Sequence, residues 1–386
     1  MSERIAARVA EIAPFHVMDI LARARVLESQ GRDIIHLEIG EPDFPTPAPI
    51  IEAGVAALRA GQTHYTGALG LPELRSAIAG FYARHWRIEV DPARILVTPG
   101  ASGALLLTLG LLTGPGDEVL MADPGYPCNR HFARFCEAST VAVPVGADTA
   151  FQLTLELIER RATPATRAVL IASPSNPTGT LIGPAELARI HDWCSARRVA
   201  LIVDEIYLAL TYDADEHSAA AWGDVFVINS FSKYFLMTGW RLGWLVAPAW
   251  AMDGLERLAQ NLYLAASTPA QHAALAAFST ETESILQARK AELKSRRDFL
   301  LPALRDLGFD LPITPQGAFY LYADSRRHSD DSFQFSRSLL EDTGVAITPG
   351  VDFGAYQPER FVRFAYAQPL PRLAEAVERI RHYLQT

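Results

Sequence analysis

The sequence predicts an α/β fold, in which a three-layer αβα domain surrounds a mostly parallel sheet and a smaller α+β domain accompanies it. From about residue 93 to residue 250, short apolar runs alternate with segments that repeat apolar residues at helical spacing. This alternation is typical of a parallel sheet with helices on both faces. After about residue 250 the alternation stops. We therefore expect residues 46–285 to form the large domain, and residues 1–45 and 286–386 to form the small domain together.

The elements follow in chain order. Apolar residues at helical spacing predict a first helix over residues 17–30, and Gly31 favours the end of the helix at that point. Apolar runs predict the strands of the large sheet, at 94–99, 118–124, 141–145, 167–174, 199–205, 225–230 and 241–247. Three helices are expected among these strands, at 101–112, 153–162 and 184–198. A helical stretch at about 250–306 and a last helix at 370–384 enclose short segments of the small domain, at 318–324, 332–344, 345–349 and 361–367.

Composition excludes several classes of protein. The chain has 386 residues, with 35 Lys and Arg against 44 Asp and Glu, so its formal net charge is −9. Such a chain is a poor binder of nucleic acids and anionic membranes, which require positive charge. Its longest apolar stretch, 104–112, is far shorter than the roughly 20 residues of a membrane span, and residues 1–15 lack the apolar core of a secretory signal.

The cysteines give no sign of a disulfide framework or a metal site. Cys128, Cys136 and Cys194 are an odd number at unrelated spacings, and the sequence contains no CxxC. A reducing compartment is the simpler interpretation. We therefore expect a cytoplasmic protein without a metal centre.

A glycine-rich segment marks a turn from strand to helix. Gly100–Gly103 occupies the position of a hydrolase nucleophile elbow, but Ala104 stands where that motif requires glycine. The segment fits an anion cradle better, because small residues at such a turn expose backbone N–H groups to a phosphate. No GxGxxG, Walker lysine or HExxH occurs in the sequence.

Polar residues follow several predicted strands, at the edge where ligands bind in open α/β sheets. Taken singly they have structural interpretations: Asp204 can cap a helix, Asn176 can form a turn and Lys233 can be a solvated surface charge. Taken together they predict one crevice. The residues are Asn176, Asp204, Tyr207, Ser230, Lys233 and Arg241.

Nine segments, in this order and spacing, resemble the class I and II aminotransferases, which are fold-type I enzymes that use pyridoxal 5′-phosphate (PLP). The segments are LEIGEPDFPTP (37–47), HYTGALGLPELR (64–75), VTPGASGAL (97–105), GPGDEVLMADPGYP (114–127), SPSNPTGT (173–180), VDEIY (203–207), NSFSKYFLMTGWRLGW (229–244), PQGAFYLY (315–322) and FVRFAYA (361–367). The resemblance therefore covers nearly the whole chain.

The resemblance implies a role for each residue around the PLP ring. Lys233 forms the Schiff base with the PLP aldehyde and then moves the proton between the substrate α-carbon and the cofactor. Asp204 holds a proton on the pyridine nitrogen, and Tyr207 and Asn176 hydrogen-bond the phenolic oxygen. Tyr126 stacks on the ring.

The resemblance also implies the residues that bind the phosphate and the substrate. The phosphate binds to the backbone of Ala101 and to the side chains of Ser102, Ser230 and Arg241, with Tyr65 contributed by the partner subunit. The substrate α-carboxylate binds Arg363, assisted by Asn176 and the backbone at Gly40. The implied assembly is a homodimer with shared active sites.

The sequence also indicates which substrate side chains the active site would accept. Residues 264–271 contain no Lys or Arg where a second substrate carboxylate would be bound, so aspartate specificity is doubtful. Candidate rim residues suit a neutral or aromatic side chain, and they are Phe15, His16, Tyr65 and Tyr263.

We expect an aminotransferase that moves an amino group between an L-amino acid and a 2-oxo acid by a ping-pong mechanism. One alternative on the same fold is a PLP-dependent C–S lyase or another eliminating enzyme. A more remote alternative is a non-catalytic PLP-sensing module of a transcription regulator. That arrangement needs a preceding winged-helix domain of roughly 70 residues, whereas here the family pattern begins within the first 20.

Overall fold

The computed structural model of the protein describes residues 5–385. Residues 1–4 and 386, which fall at the outer ends of the expected small domain, lie outside the described residues. The helices are α1 His16–Ser29, α2 Ala48–Arg59, α3 Pro72–Trp86, α4 Gly100–Leu112, α5 Pro127–Phe135, α6 Leu155–Arg161, α7 Pro184–Arg197, α8 Met252–Leu262, α9 Thr268–Leu275, α10 Thr280–Asp306, α11 Ser332–Thr343 and α12 Leu370–Gln385. The strands are β1 Ile35–His36, β2 Ile95–Thr98, β3 Glu118–Asp123, β4 Ser139–Pro144, β5 Thr166–Ala172, β6 Ala200–Asp204, β7 Phe226–Ser230, β8 Gly243–Val246, β9 Tyr320–Asp324, β10 Val345–Ala346, β11 Thr348–Pro349 and β12 Phe361–Ala365.

The central sheet has seven strands in the order β2-β8-β7-β6-β5-β3-β4. β8 runs antiparallel to β2 and β7, and the other neighbouring pairs are parallel. Successive strand residues point to opposite faces, and Leu170 and Ile171 accordingly pack into two different apolar clusters. Helices therefore cover both faces, which confirms the predicted three-layer α/β architecture.

Two smaller sheets are built from the two ends of the chain. β11, β12 and β9 form an antiparallel sheet, and β1 pairs in parallel with β10. The pairing of Ile35 with Val345 joins the N-terminal segment to the C-terminal part of the chain. We propose that residues 1–45 and 286–386 form the small domain and residues 46–285 the large one, with α10 continuous across the boundary.

Some helices differ from the sequence-based expectation. The stretch expected at about 250–306 consists of three helices, α8, α9 and α10. It breaks where Leu264 adopts a φ of +67°, and again at Ser279, whose side chain caps α10 by accepting the N–H of Thr282. Helices α2, α3 and α5 were not predicted, although each has a proline in its first turn, where the fixed φ of proline suits a helix start.

Candidate active site

A cavity of about 330 Å³ lies at the carboxyl ends of the parallel strands and is also lined by residues from both ends of the chain. Asp204 and Ser230 end β6 and β7, and α4 begins at Gly100, shortly after β2. Every predicted site residue except Tyr65 lines it: Gly40, Ala101, Ser102, Tyr126, Asn176, Asp204, Tyr207, Ser230, Lys233, Arg241 and Arg363. The structure thus brings these residues together, while their individual roles stay predictions.

Lys233 lies in the loop after β7, and its side chain lines the cavity. Its Nζ donates a hydrogen bond of 2.6 Å to the carbonyl oxygen of Gly40. Burial lowers the pKa of Lys233 to about 8; the charge of Glu41 opposes this shift, and Arg363 and Arg241 add to it. The amine is therefore far easier to neutralise than an ordinary lysine, as a nucleophile or a general base requires.

The carboxyl group of Asp204 is buried at the end of β6, where it is 5% exposed. It accepts the backbone N–H of Ile206 at 3.1 Å. Burial raises the pKa of Asp204 to about 6, although that hydrogen bond and the charge of Lys233 act in the opposite direction. A carboxylate held in this way is well suited to pair with a protonated ring nitrogen.

Arg241 packs against the start of α4, where the sequence predicts an anion cradle. Gly100 has a φ of +72°, and a Cβ there would lie 2.6 Å from Arg241 Nη2, so only glycine lets the guanidinium approach. Arg241 Nη1 donates to the carbonyl oxygen of Thr238 at 3.0 Å, which aligns the side chain. Guanidinium and helix N-terminus both favour a phosphate.

Gly243 brings the remaining phosphate-binding candidates together. A Cβ at Gly243 would lie 2.8 Å from the Ala101 nitrogen and 2.8 Å from the Asn229 oxygen. The start of α4 and the end of β7 therefore pack closely around this glycine. Ser102 and Ser230, the next residue in each segment, line the cavity.

Arg363 is a buried cation on β12, only 5% exposed. Its Nη1 donates to Asn176 Oδ1 at 2.9 Å, and its Nη2 to the Glu38 carbonyl at 2.6 Å and to Thr348 Oγ1 at 3.1 Å. Within residues 5–385 its Nε has no hydrogen-bond partner. No carboxylate of the described chain forms an ion pair with it either, so this buried charge suits an anionic ligand.

The cavity also contains residues to which the sequence analysis gave no role. They include Tyr320, Thr348 and Glu41, and the apolar residues Val17, Met18, Leu21, Ile39 and Leu105. Tyr320 and Glu41 stood in the segments PQGAFYLY and LEIGEPDFPTP, but nothing local indicates that their side chains reach the cavity. Among the predicted rim residues, Phe15 lines the cavity, whereas His16, Tyr65 and Tyr263 are not part of its lining; Tyr65 is 82% exposed.

The donors and acceptors of the cavity fit PLP. The lowered-pKa amine of Lys233 corresponds to the aldehyde of that group, and the buried carboxylate of Asp204 to its ring nitrogen. The Tyr207 hydroxyl and the Asn176 amide correspond to its phenolic oxygen, and the segment around Gly100 and Arg241 to its phosphate. The residues that would hold it are Ala101, Ser102, Tyr126, Asn176, Asp204, Tyr207, Ser230, Lys233 and Arg241. When bound, PLP supplies an electrophilic carbon for exchange of amines and a ring that accepts electrons from the substrate α-carbon.

Comparison with known proteins gives consistent matches over the whole chain. A curated relative, the valine–pyruvate aminotransferase of Mycobacterium tuberculosis, is 41% identical over 100% of this chain and 99% of its own length. The (5-formylfuran-3-yl)methyl phosphate transaminase of Methanocaldococcus jannaschii is 37% identical over 98% of both chains. A crystal structure of an aminotransferase from M. tuberculosis superposes with a TM-score of 0.95 at 40% identity, covering 99% of each chain.

These relatives are transaminases, so the comparisons favour amino transfer over the elimination reaction and the non-catalytic sensor that the sequence left open. A sequence model of the family described as aminotransferase class I and II matches residues 32–380. The chain therefore belongs to the class I and II aminotransferases, and it is a fold-type I, PLP-dependent enzyme that transfers an amino group between an amino acid and a 2-oxo acid.

Proposed function

We propose that this transaminase acts on L-amino acids with neutral side chains, and on the corresponding 2-oxo acids, as a homodimer. The arrangement that carries the proposal is a single buried carboxylate-binding arginine, Arg363, in a cavity whose further lining is largely apolar. The valine–pyruvate specificity in the name of the M. tuberculosis relative supports the same substrate class.

The charges in the cavity argue against a second substrate carboxylate. Among the described lining residues, the cations are Lys233, Arg241 and Arg363, and each has a task at the cofactor or at the α-carboxylate. The lining also includes Glu41 and Asp352, whose negative charge disfavours an acidic side chain. Aliphatic and aromatic side chains gain from burial against the apolar wall.

Each functional residue has a task in this proposal. Arg363 and Asn176 hold the α-carboxylate, which fixes the α-carbon relative to the cavity wall. Lys233 accepts the proton of the α-carbon and returns it at the cofactor end, for which its lowered pKa is favourable. Asp204 holds the proton of the ring nitrogen, and Tyr207 donates to the phenolic oxygen.

A panel of substrates tests the specificity. Rapid mixing of the holoenzyme with single amino acids should convert the absorbance of bound PLP, with valine, alanine and phenylalanine reacting at least about tenfold more efficiently than aspartate. The matching 2-oxo acids should restore the starting spectrum. Faster conversion by aspartate would refute the proposed substrate class, and steady release of pyruvate and ammonia would indicate elimination.

We propose that Tyr65 completes the site of the partner subunit, which is in keeping with its exposure outside its own cavity. Tyr65→Ala should then raise the PLP concentration needed for activity, whereas Tyr356→Ala, another exposed tyrosine, should not. Mixed dimers of Lys233→Ala and Tyr65→Ala chains should regain activity, because one of their two sites has both residues intact. Monomers in sedimentation experiments, or no recovery on mixing, would contradict this assembly.

We also propose that the enzyme is located in the cytoplasm. All three cysteines are free thiols, which supports the cytoplasm, where thiols stay reduced. Within residues 5–385 no helix combines the length and apolar character that crossing a membrane requires.

A further inference from the structure

Tyr320 lies between two groups to which the proposed function assigns different tasks. Its side chain is buried, and it lines the cavity from the first position of β9. The Tyr320 hydroxyl lies 2.9 Å from the Tyr207 hydroxyl. The guanidinium carbon of Arg363 lies 4.3 Å from the centre of the Tyr320 ring. One side chain therefore contacts a residue proposed for the cofactor and a residue proposed for the substrate.

Packing holds Tyr320 in this position. Its ring meets that of Tyr207 edge to face, with centres 5.7 Å apart at 82°. A Cβ at Gly40 would lie 2.6 Å from its hydroxyl oxygen, so the backbone at Gly40 fits closely against it. In the pairing of β9 with β12, Tyr320 lies opposite Ala365, two residues from Arg363. The ring thus has little freedom to leave either contact.

We propose that Tyr320 is a positioning residue for both ends of the reaction: its hydroxyl directs the Tyr207 hydroxyl, and its ring supports Arg363 against the substrate carboxylate. When Tyr320 donates to the Tyr207 oxygen, the Tyr207 proton is left free for an anionic oxygen in the cavity. The flat ring contributes a cation–π contact to an arginine that has no carboxylate partner in the described chain. The inference rests on the roles proposed above for Tyr207 and Arg363.

The hydroxyl contact is tested on the holoenzyme by pH titration of the absorbance of bound PLP, a readout independent of turnover. Tyr320→Phe should move the titration midpoint upward by about 0.5–1 unit, because a less polarised Tyr207 stabilises the phenolic anion less. The same change in a Tyr207→Phe background should have no further effect. Tyr366→Phe is a matched control, since its buried hydroxyl donates to the Ala318 carbonyl and lies outside the cavity lining, and its midpoint should equal that of the wild type.

The ring contact is tested by comparing Tyr320→Phe with Tyr320→Leu. The phenylalanine variant should keep KM for the amino acid within about twofold, whereas the leucine variant should raise it about tenfold while retaining PLP. Equal KM values in the two variants would show that the Tyr320 ring does not support Arg363. An unchanged titration in Tyr320→Phe, beside a shift in Tyr207→Phe, would overturn the hydroxyl coupling. If Tyr207→Phe itself left the titration unchanged, the role proposed for Tyr207 would be wrong, and the hydroxyl coupling with it.

Discussion

The amine of Lys233 and the carbonyl oxygen of Gly40 are joined by a hydrogen bond of 2.6 Å. Lys233 follows β7 of the central sheet, whereas Gly40 belongs to the segment that follows β1. The contact therefore joins two parts of the chain that meet only in the folded state. Because burial lowers the pKa of Lys233 to about 8, mildly alkaline pH converts this charge-assisted hydrogen bond of the cofactor-free protein to a weaker, neutral one.

Replacing Lys233 with alanine should lower turnover by at least about 10³-fold, because both covalent attachment and proton transfer depend on its amine. The absorbance of covalently attached PLP should also disappear. Lys290→Ala, which removes a lysine of α10 that pairs with Glu216, is the matched control and should keep both properties. Normal turnover in Lys233→Ala would show that Lys233 performs neither covalent attachment nor proton transfer.

Replacing Arg363 with alanine should raise KM for the amino acid and the 2-oxo acid about 10- to 100-fold, the effect of losing charge-assisted hydrogen bonds to the α-carboxylate. PLP should remain bound, since the phosphate cradle around Gly100 and Arg241 is separate from this residue. Steady-state kinetics and PLP titration measure the two effects. Loss of PLP with unchanged substrate affinity would show that the arginine serves the cofactor.

The sequence predicted the large sheet well, because most of its strands are largely apolar runs that the local pattern identifies. The strand expected at 199–205, for example, is β6, Ala200–Asp204. Polar residues directly after such strands must lie on one edge of a parallel sheet, so their convergence followed from local information. The breaks at Leu264 and Ser279 were missed although local signals mark them: Pro269 stands in the first turn of α9, and residues 279–284 contain no apolar side chain.

The contacts of Arg363 were not predictable from the sequence alone. Thr348 pairs with Arg363 between β11 and β12, and Tyr322 pairs with it between β12 and β9. These registers depend on packing between distant segments, and they decide that Thr348 and Tyr320 reach the guanidinium. A pattern of residue types carries no information on such a register.

His36 should make stability depend on pH. Its Nδ1 lies 2.7 Å from Glu38 Oε1 and its Nε2 lies 3.1 Å from Glu28 Oε1. The Glu38 hydrogen bond, more than any other influence, raises the pKa of His36 to about 9. The protonated imidazole therefore stabilises the fold fully below pH of about 6.5, its unfolded pKa, and this contribution is lost as the pH rises through about 9.

Urea unfolding at several pH values measures this contribution. Between pH 6.5 and pH 9 the wild type should lose about 1 kcal/mol more than His36→Gln, a modest figure because the imidazole is partly accessible to solvent. His217→Gln, which alters an exposed histidine, should follow the wild type. Parallel curves for wild type and His36→Gln would contradict the assigned ion pair.

Asp204 should lower the stability of the fold, although activity depends on it. Burial raises its pKa to about 6 in the cofactor-free protein, against about 3.9 in an unfolded chain. The neutral carboxyl group is thus favoured in the folded state, and its contribution to the free energy of unfolding is lost as the pH rises from about 4 to 6. Asp204→Asn, which is neutral throughout, should gain about 2 kcal/mol over the wild type between pH 4 and pH 7 while losing activity.

The addition of PLP separates this explanation from a general effect of the substitution. A protonated ring nitrogen pairs with the carboxylate but not with an amide, so PLP should raise the melting temperature of the wild type more than that of Asp204→Asn. Asp215→Asn, at an exposed site, should resemble the wild type in both experiments. Equal stabilisation of wild type and Asp204→Asn by PLP would mean that Asp204 does not face the ring nitrogen, since a buried carboxylate that costs stability without cofactor must recover it from a cationic partner.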